Sequence, residues 1–332
     1  MDEHTLHQLC RRYPLGAPTA PPERVFGGLR HRIYHLRTQD GEYAVKILSP
    51  ESVAEPGART QWRLGERIAA AVAEAGLPAV PALAANGEVL QEVGPLTVLT
   101  YRWVEGQALS FSTPAGPHRA GQIGHILGRM HGLSLGFPEL QPPLKPYSPD
   151  ADWQSLVEEA EAAGCAWATH LRSALPDLSR WGEALAEAQE RMETRWVISH
   201  GDLHQQNVLW SDEHAPWLID WEQADWQQSA REATVSALEW SGFVEGDPDL
   251  ASFQAFLQAY RREAPLSAEN VTLGLRACFA NWLGWLQFCT ERALRGADPE
   301  ERTESEGQIA GTLATTYRAE ANFPILEAAS RE

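Results

Sequence analysis

The chain has 332 residues, 43% of them apolar and 22% charged, a globular balance at a size where a single core gives way to two lobes. This composition excludes a wholly disordered chain, and neither a G-X-Y nor a sustained heptad pattern occurs. With 27 basic against 45 acidic residues the net charge is −18, which argues against nucleic acid as a partner and is compatible with a cationic small molecule.

Membrane insertion is not expected. The most apolar stretch, Cys278 to Cys289, has 12 residues, short of the ~20 that span a bilayer. The first residues are acidic and carry no apolar core, so no secretory signal is read. The four cysteines are scattered and fit reduced thiols in a cytoplasmic protein. Only two lysines occur, Lys46 and Lys145. The surface is solvated by arginine and acidic residues, which makes a lysine inside an apolar strand conspicuous.

In chain order, Thr5 to Tyr13 reads as a short helix, and a Pro-rich linker follows. Gly27-Gly28 precedes an alternating strand at 33–37. After the turn Gln39-Asp40-Gly41 a second strand runs from Tyr43 to Leu48, so the two form a hairpin. Arg59 to Ala75 carries helical periodicity and stops at Gly76 with Pro78 beyond. Strands are expected at 88–91 and 96–103. Past Glu105-Gly106 the period becomes helical, at 118–132, 152–175, 178–193, 229–240, 249–262, 268–295 and 302–320. A β-like island interrupts it at 196–198, 208–210 and 217–219. The expected organisation is a β-rich lobe over 1–103 and a helical lobe over 104–332.

The densest polar cluster is His200-Gly201-Asp202-Leu203-His204-Gln205-Gln206-Asn207, followed by Ile219-Asp220-Trp221-Glu222. Both pieces abut apolar strands, where a rigid scaffold positions a loop. The set suits phosphoryl transfer, which needs a carboxylate to orient the attacking hydroxyl, hard oxygen ligands for Mg2+, and a cation on the nucleotide phosphates. His200, Asp202 and Asn207 reproduce the spacing of H-R-D-x-x-x-x-N. Asp220 ends an apolar strand as a metal-binding Asp does. Lys46, in Ala44-Val45-Lys46-Ile47, matches the strand lysine, and Glu66 on the next helix is the candidate for its ion pair.

These residues, HGDLHQQNVL at 200–209, IDWE at 219–222, Lys46, and Glu66 followed by GLP at 76–78, resemble the aminoglycoside phosphotransferase and choline kinase-like family of small-molecule kinases. The resemblance implies an α+β, bilobal protein-kinase-like fold with a small antiparallel-sheet N-lobe and a larger, mainly helical C-lobe. It implies ATP and Mg2+ as cofactors, with a small-molecule hydroxyl as acceptor. Asp202 would be the catalytic carboxylate, and Asn207 and Asp220 the Mg2+ ligands. Lys46 would contact the phosphates, braced by Glu66. The turn Gly27 to Arg32, with Gly28, Arg30 and His31, would cover them. Backbone at Thr100, Tyr101 and Trp103 would meet the adenine edge, and Ala44, Leu209 and Ile219 would wall it. His200 would orient the catalytic loop. The family often places Asp-Leu-Ala after the metal Asp; here Arg231-Glu232-Ala233 stands in that region, and Glu232 is the candidate brace. Asp225, Glu239, Trp282 and Glu291 are candidates for the acceptor pocket.

The acceptor expected from acidity and family is an aminoglycoside or another cationic antibiotic. Choline, thiamine, homoserine, a macrolide or a sugar fits the same motifs. Two other function classes stand beside this one: a zinc hydrolase built on His200, Asp202, His204 and His214, and a catalytically silent nucleotide-binding module. Neither GxGxxG nor GxxxxGK[ST] occurs.

Overall fold

The computed structural model describes residues 3–25, 31–111, 115–137, 140–193, 195–212, 215–243, 246–296 and 298–332. In chain order the elements are α1 (Glu3–Arg12), β1 (Glu23–Val25), β2 (Arg32–Thr38), β3 (Gly41–Ile47), α2 (Pro50–Ala54), α3 (Ala58–Glu74), β4 (Gln91–Val93), β5 (Leu96–Arg102), β6 (Gln107–Ala108), α4 (Gly116–Gly132), α5 (Trp153–Ala162) and α6 (Ala168–Arg191). Then come β7 (Trp196–Ser199), β8 (Val208–Trp210), β9 (Pro216–Leu218), β10 (Asp225–Gln228), α7 (Ser229–Trp240), α8 (Leu250–Arg261), α9 (Ala268–Ala277), α10 (Phe279–Arg295) and α11 (Pro299–Ala329). They form two compact units, Met1–Leu109 with Ile198–Asp225, and Ser110–Val197 with Trp226–Glu332.

The first unit is built on a five-stranded antiparallel sheet in the order β1-β2-β3-β5-β4. Side chains alternate faces along a strand, and β3 shows the consequence. Tyr43, Val45 and Ile47 join Leu6 and Leu9 of α1 and the following Tyr13 in one apolar cluster. Ala44 and Lys46 therefore point to the opposite face, where Leu48, Trp62, Leu90 and Leu99 form a second cluster under α3. The register sets Lys46 opposite Leu99 and Ala44 opposite Tyr101.

Helix α3 ends as its sequence signals. Gly76 takes φ +78°, its N–H donates to Ala73, and Leu77 N–H reaches back to Val72, a Schellman ending that the glycine makes free of Cβ strain. Beyond it, Val80 N–H donates to the Leu218 carbonyl at 3.0 Å, and Leu218 N–H to Pro78 at 2.8 Å. Strands β6, β8 and β9 form a three-stranded sheet. These backbone bonds tie the stretch 198–225 to the first unit, although by chain order it lies among the helices.

The second unit is helical. Leu171, Leu178, Trp181 and Leu185 of α6 are buried, and Trp181 stacks on Phe279 at 5.8 Å. Three helix boundaries differ from the periodic pattern. The expected break near 176 is absent, because α6 runs through Pro176. The break falls earlier, at Gly164 with φ +73°. The expected single helix 268–295 divides at Cys278, whose φ and ψ of −60° and −24° remain helical, so side-chain periodicity carries no mark of it. Helix α11 starts at Pro299, capped by the Asp298 carboxylate, and continues through Pro324 to Ala329. Strand β1 and helix α2 had no signal long enough to read.

Candidate active site

Lys46 is 8% exposed. Its ammonium donates to Asp220 Oδ1 at 2.7 Å and to Glu222 Oε2 at 3.1 Å. Burial alone would discharge a lysine; here it is outweighed by the two carboxylates, and the Lys46 pKa is raised. The expected ion pair with Glu66 is not formed. Glu66 instead accepts from Tyr101 Oη at 2.7 Å and from the Ala82 N–H at 2.6 Å. The correction has a simple cause: both Glu66 oxygens are committed to neutral donors, while Asp220 and Glu222 lie nearer the ammonium.

Glu66 is 6% exposed, and burial pushes its pKa up to about 7 against the pull of Tyr101, Ala82 and Lys46. The folded state therefore binds the extra proton, and Glu66 favours folding most at pH below its unfolded value. That contribution falls as pH rises from about 4.5 towards 7, by up to about 3 kcal/mol. Glu66→Gln should remove this slope. Thermal melts of both proteins from pH 5 to 8 would show their difference narrowing or reversing at high pH, and parallel curves would refute the assignment.

Asp220 sits at φ +64°, ψ +67°, a left-handed conformation that costs a non-glycine residue roughly 1–2 kcal/mol. Its neighbours fix it. Ile219 N–H donates to the Asn207 carbonyl at 3.0 Å, and His200 Nε2 donates to the Ile219 carbonyl at 3.0 Å. The buried Trp221 indole donates to Leu218 and lies 4.5 Å from the His200 ring.

His200 is fully buried, and its Nδ1 accepts the Asp202 N–H at 3.3 Å. One imidazole thus links the Asp202 loop to the Asp220 turn. Asn207 closes the loop, with its amide nitrogen donating to the Asp202 carbonyl at 2.9 Å and to Oδ2 at 3.1 Å. For Asp202, burial raises the pKa, but His204, His200 and Asn207 outweigh it and hold the carboxyl below its ordinary value.

Lys46, Asp202, Asn207 and Asp220 are therefore joined in one network of the first unit. Lys46, Trp62, Glu66, Leu99, Tyr101, Asp220 and Glu222 line a cavity of about 10 Å³, room for about one water. The donor set fits Mg2+: Asn207 turns its amide nitrogen to Asp202, which leaves its oxygen as a ligand, and Asp220 keeps Oδ2 outside the lysine bond. For the zinc reading, no group of three or more His, Cys, Asp or Glu side chains is placed to hold a metal ion among the described residues; His214 lies outside them.

Other expected positions differ. Gly27, Gly28 and Arg30 lie outside the described residues. His31 is no phosphate donor here: its Nδ1 accepts the Ser49 N–H at 3.2 Å and its Nε2 faces Glu222 at 3.4 Å, so both ring nitrogens are taken. Trp103 gives its N–H to Glu42 and stacks on His35 at 3.7 Å; the Thr100 carbonyl is taken by Leu83. Those two backbone groups are not offered to an adenine edge, whereas Tyr101 contributes its hydroxyl to Glu66. Ala44, Leu209 and Ile219 remain partly exposed.

In the second unit, Glu232 accepts from His131 Nε2 at 2.8 Å, and His131 Nδ1 meets Tyr260 Oη at 2.7 Å. Trp282 packs on Phe243 and Phe279, and Glu291 accepts from Gln287 at 3.1 Å. Glu239 is half-buried on α7, whereas Asp225, which opens β10, is the last residue of the first unit.

Sequence reasoning assigned no role to Glu222, although it quoted the residue. Lys46 and His31 hold it so firmly that, against the upward push of burial, its pKa drops to about 2. Gly65 and Gln61 were also missed. Gln61 Nε2 donates to the carbonyls of Glu222 at 3.3 Å and Ala224 at 3.0 Å. A Cβ on Gly65 would stand 2.2 Å from the Trp221 carbonyl, so only glycine lets α3 rest on this turn. The signal was a glycine within a strongly helical run. Gly65→Ala should cost about 1–3 kcal/mol by overpacking, read as a lower melting temperature; an unchanged melt would disprove the close contact.

The sequence profile of the phosphotransferase enzyme family, APH, matches residues 23–266. The chain belongs to this family. It is a phosphotransferase. The homoserine kinase of Pseudomonas aeruginosa is 26% identical over 267 residues, 76% of this chain and 77% of that protein. The fold is shared with a spectinomycin phosphotransferase solved with ADP and spectinomycin, at 14% identity and a TM-score of 0.71, covering 96% of this chain and 98% of that one. It is shared also with a microcompartment-associated aminopropanol kinase, at 15% identity and a TM-score of 0.63, covering 96% and 98%. The α+β, protein-kinase-like architecture expected from the motifs is thus the fold of this phosphotransferase. Among the described residues no helix is long and apolar enough to cross a membrane.

Proposed function

We propose that this phosphotransferase moves the γ-phosphoryl group of ATP, as its Mg2+ complex, to the hydroxyl of a small molecule in the cytoplasm. Residues 1–103 would bind the nucleotide, and the helices after residue 104 would receive the acceptor. The network joining Lys46, Asp220, Asn207, His200 and Asp202 carries the reading. Asn207 and Asp220 would hold Mg2+, which neutralises charge on the phosphates when bound. Lys46 leaves Asp220 and Glu222 a charge partner and meets the phosphates.

Asp202 accepts the hydroxyl's hydrogen bond. The acceptor oxygen bonds to the γ-phosphorus as the bond from that phosphorus to the ADP oxygen breaks, and the hydroxyl proton passes through Asp202 to solvent. A carboxyl held below its ordinary pKa is a weak base. Its work is orientation, which a loose transition state permits.

The test is ADP release with MgATP across amino alcohols, sugars, choline, thiamine, aminoglycosides, macrolides and spectinomycin, against Asp202→Ala. Turnover of one acceptor class that disappears in the variant supports the reading; ATP-induced thermal stabilisation without turnover on any acceptor would favour the silent module instead.

A further inference from the structure

Arg231 stands where the sequence departs from the family's habit, in Arg231-Glu232-Ala233 near the start of α7. Its surroundings are those of a cation awaiting an anion. One terminal nitrogen donates to the Asn281 side-chain oxygen of α10. Its Nε is buried without a partner, and among the described residues no carboxylate lies within 4 Å of the guanidinium. Burial pulls its pKa below the usual arginine value, and Cys278, Glu232 and Tyr147 only partly offset this.

A buried charge without a counter-ion is costly. Arginine's planar fork is shaped for a carboxylate. Tyr147 Oη would come within 2.8 Å of a Cβ on Gly284, one turn along α10 from Asn281. The Tyr147 hydroxyl feels Arg231 as well as Asp150 and Glu291, and Gln287 donates to both of those carboxylates, at 3.2 and 3.1 Å. A cation and an acidic pair on one face of the helical unit match an acceptor that carries both signs.

We propose that Arg231, with Asn281 and Tyr147, binds a carboxylate on the acceptor, so that the substrate is a hydroxylated acid of the amino-acid type rather than a purely cationic antibiotic. This rests on the phosphotransferase reading above and names its substrate class. The site is distinct from the phosphate-side residues, since Arg231 and its partners belong to the helical unit.

Three acceptors isolate the charge: L-homoserine, 4-hydroxybutyrate, which lacks the amine, and 3-aminopropan-1-ol, which lacks the carboxylate. ADP release is measured for each with the wild-type enzyme, Arg231→Lys and Arg231→Met. The wild type should favour the two acids over 3-aminopropan-1-ol, and Arg231→Met should lower kcat/KM for the acids about ten- to hundredfold while leaving the amino alcohol alone. Arg231→Lys should recover part of the loss. Without acceptor, Arg231→Met should melt at or above the wild-type temperature, because it removes an uncompensated charge.

4-Hydroxybutyrate equal to L-homoserine supports a plain hydroxy acid, and 4-hydroxybutyrate below it supports an amino acid. Turnover confined to acceptors without a carboxylate, an acid preference untouched by Arg231→Met, or a marked drop in its melting temperature would each overturn the receptor while leaving phosphotransfer standing. Absence of ADP release with every acceptor, these three and the wider panel alike, would overturn the phosphotransferase reading and the receptor with it.

Discussion

Asp202→Ala should lower kcat by about 10²- to 10⁴-fold, the range for removal of a positioned general base or orienting carboxylate, with MgATP affinity close to wild type. The separation follows from the network. Asp202 reaches Asn207 and His204, whereas Lys46, which the proposed function places on the phosphates, is held by Asp220 and Glu222. Asp202→Ala takes away only the side-chain acceptor of the Asn207 amide and keeps the backbone carbonyl at 2.9 Å, so Asp202→Asn is the companion variant: its side-chain oxygen still accepts from Asn207, yet it is neutral. If Asp202 orients through charge, both variants lose turnover; if it only holds Asn207 in place, the asparagine variant recovers. Single-turnover ADP release paired with ATP calorimetry separates the two, and near wild-type turnover in Asp202→Ala would remove Asp202 from the mechanism. Because His204, His200 and Asn207 hold the Asp202 carboxyl below its ordinary value despite burial, kcat should show no acid limb from this group near neutral pH.

Much of this site was legible because its parts are local in sequence. HGDLHQQN and IDWE each sit on a loop beside a short apolar strand, and His200, Asp202, Asn207 and Asp220 can be placed by spacing alone. Lys46 was legible through scarcity, as one of two lysines and the one set inside an apolar strand. What spacing cannot give is which carboxylate a buried cation chooses. Glu66 had the right helix and turn, yet the Ala82 N–H and the Tyr101 hydroxyl, which come from segments distant in sequence, claimed both of its oxygens.

His31 failed for the same reason: Ser49 and Glu222 reach it through tertiary packing. The loop bearing Asp202 groups with the sheet unit rather than with the helices that flank it in the chain, where two backbone hydrogen bonds join Leu218 to Pro78 and Val80. The helix break at Cys278 was invisible because its backbone angles stay helical on both sides.

Asp220 should be the most sensitive position for nucleotide. If Asp220 holds Mg2+ as proposed, Asp220→Asn and Asp220→Ala are both expected to abolish Mg2+-dependent ATP binding in calorimetry, since each would remove a charged oxygen ligand of the kind a hard divalent cation requires. The two variants differ in what they do to the fold. Asparagine tolerates the left-handed conformation about as well as aspartate, whereas alanine must bear its strain of roughly 1–2 kcal/mol. Both leave Lys46 with Glu222 as its remaining partner at 3.1 Å, so the lysine stays charged and the unit stays folded. Asp220→Ala should therefore melt below Asp220→Asn, while the nucleotide defect is the same in both. ATP binding that survives in the asparagine variant with its Mg2+ dependence intact would remove Asp220 from the metal site and leave it as the ion-pair partner of Lys46. A nucleotide defect that scaled with the melting temperature would assign the residue to backbone geometry instead. Equal loss of binding at unequal stability is the result that only a metal ligand produces.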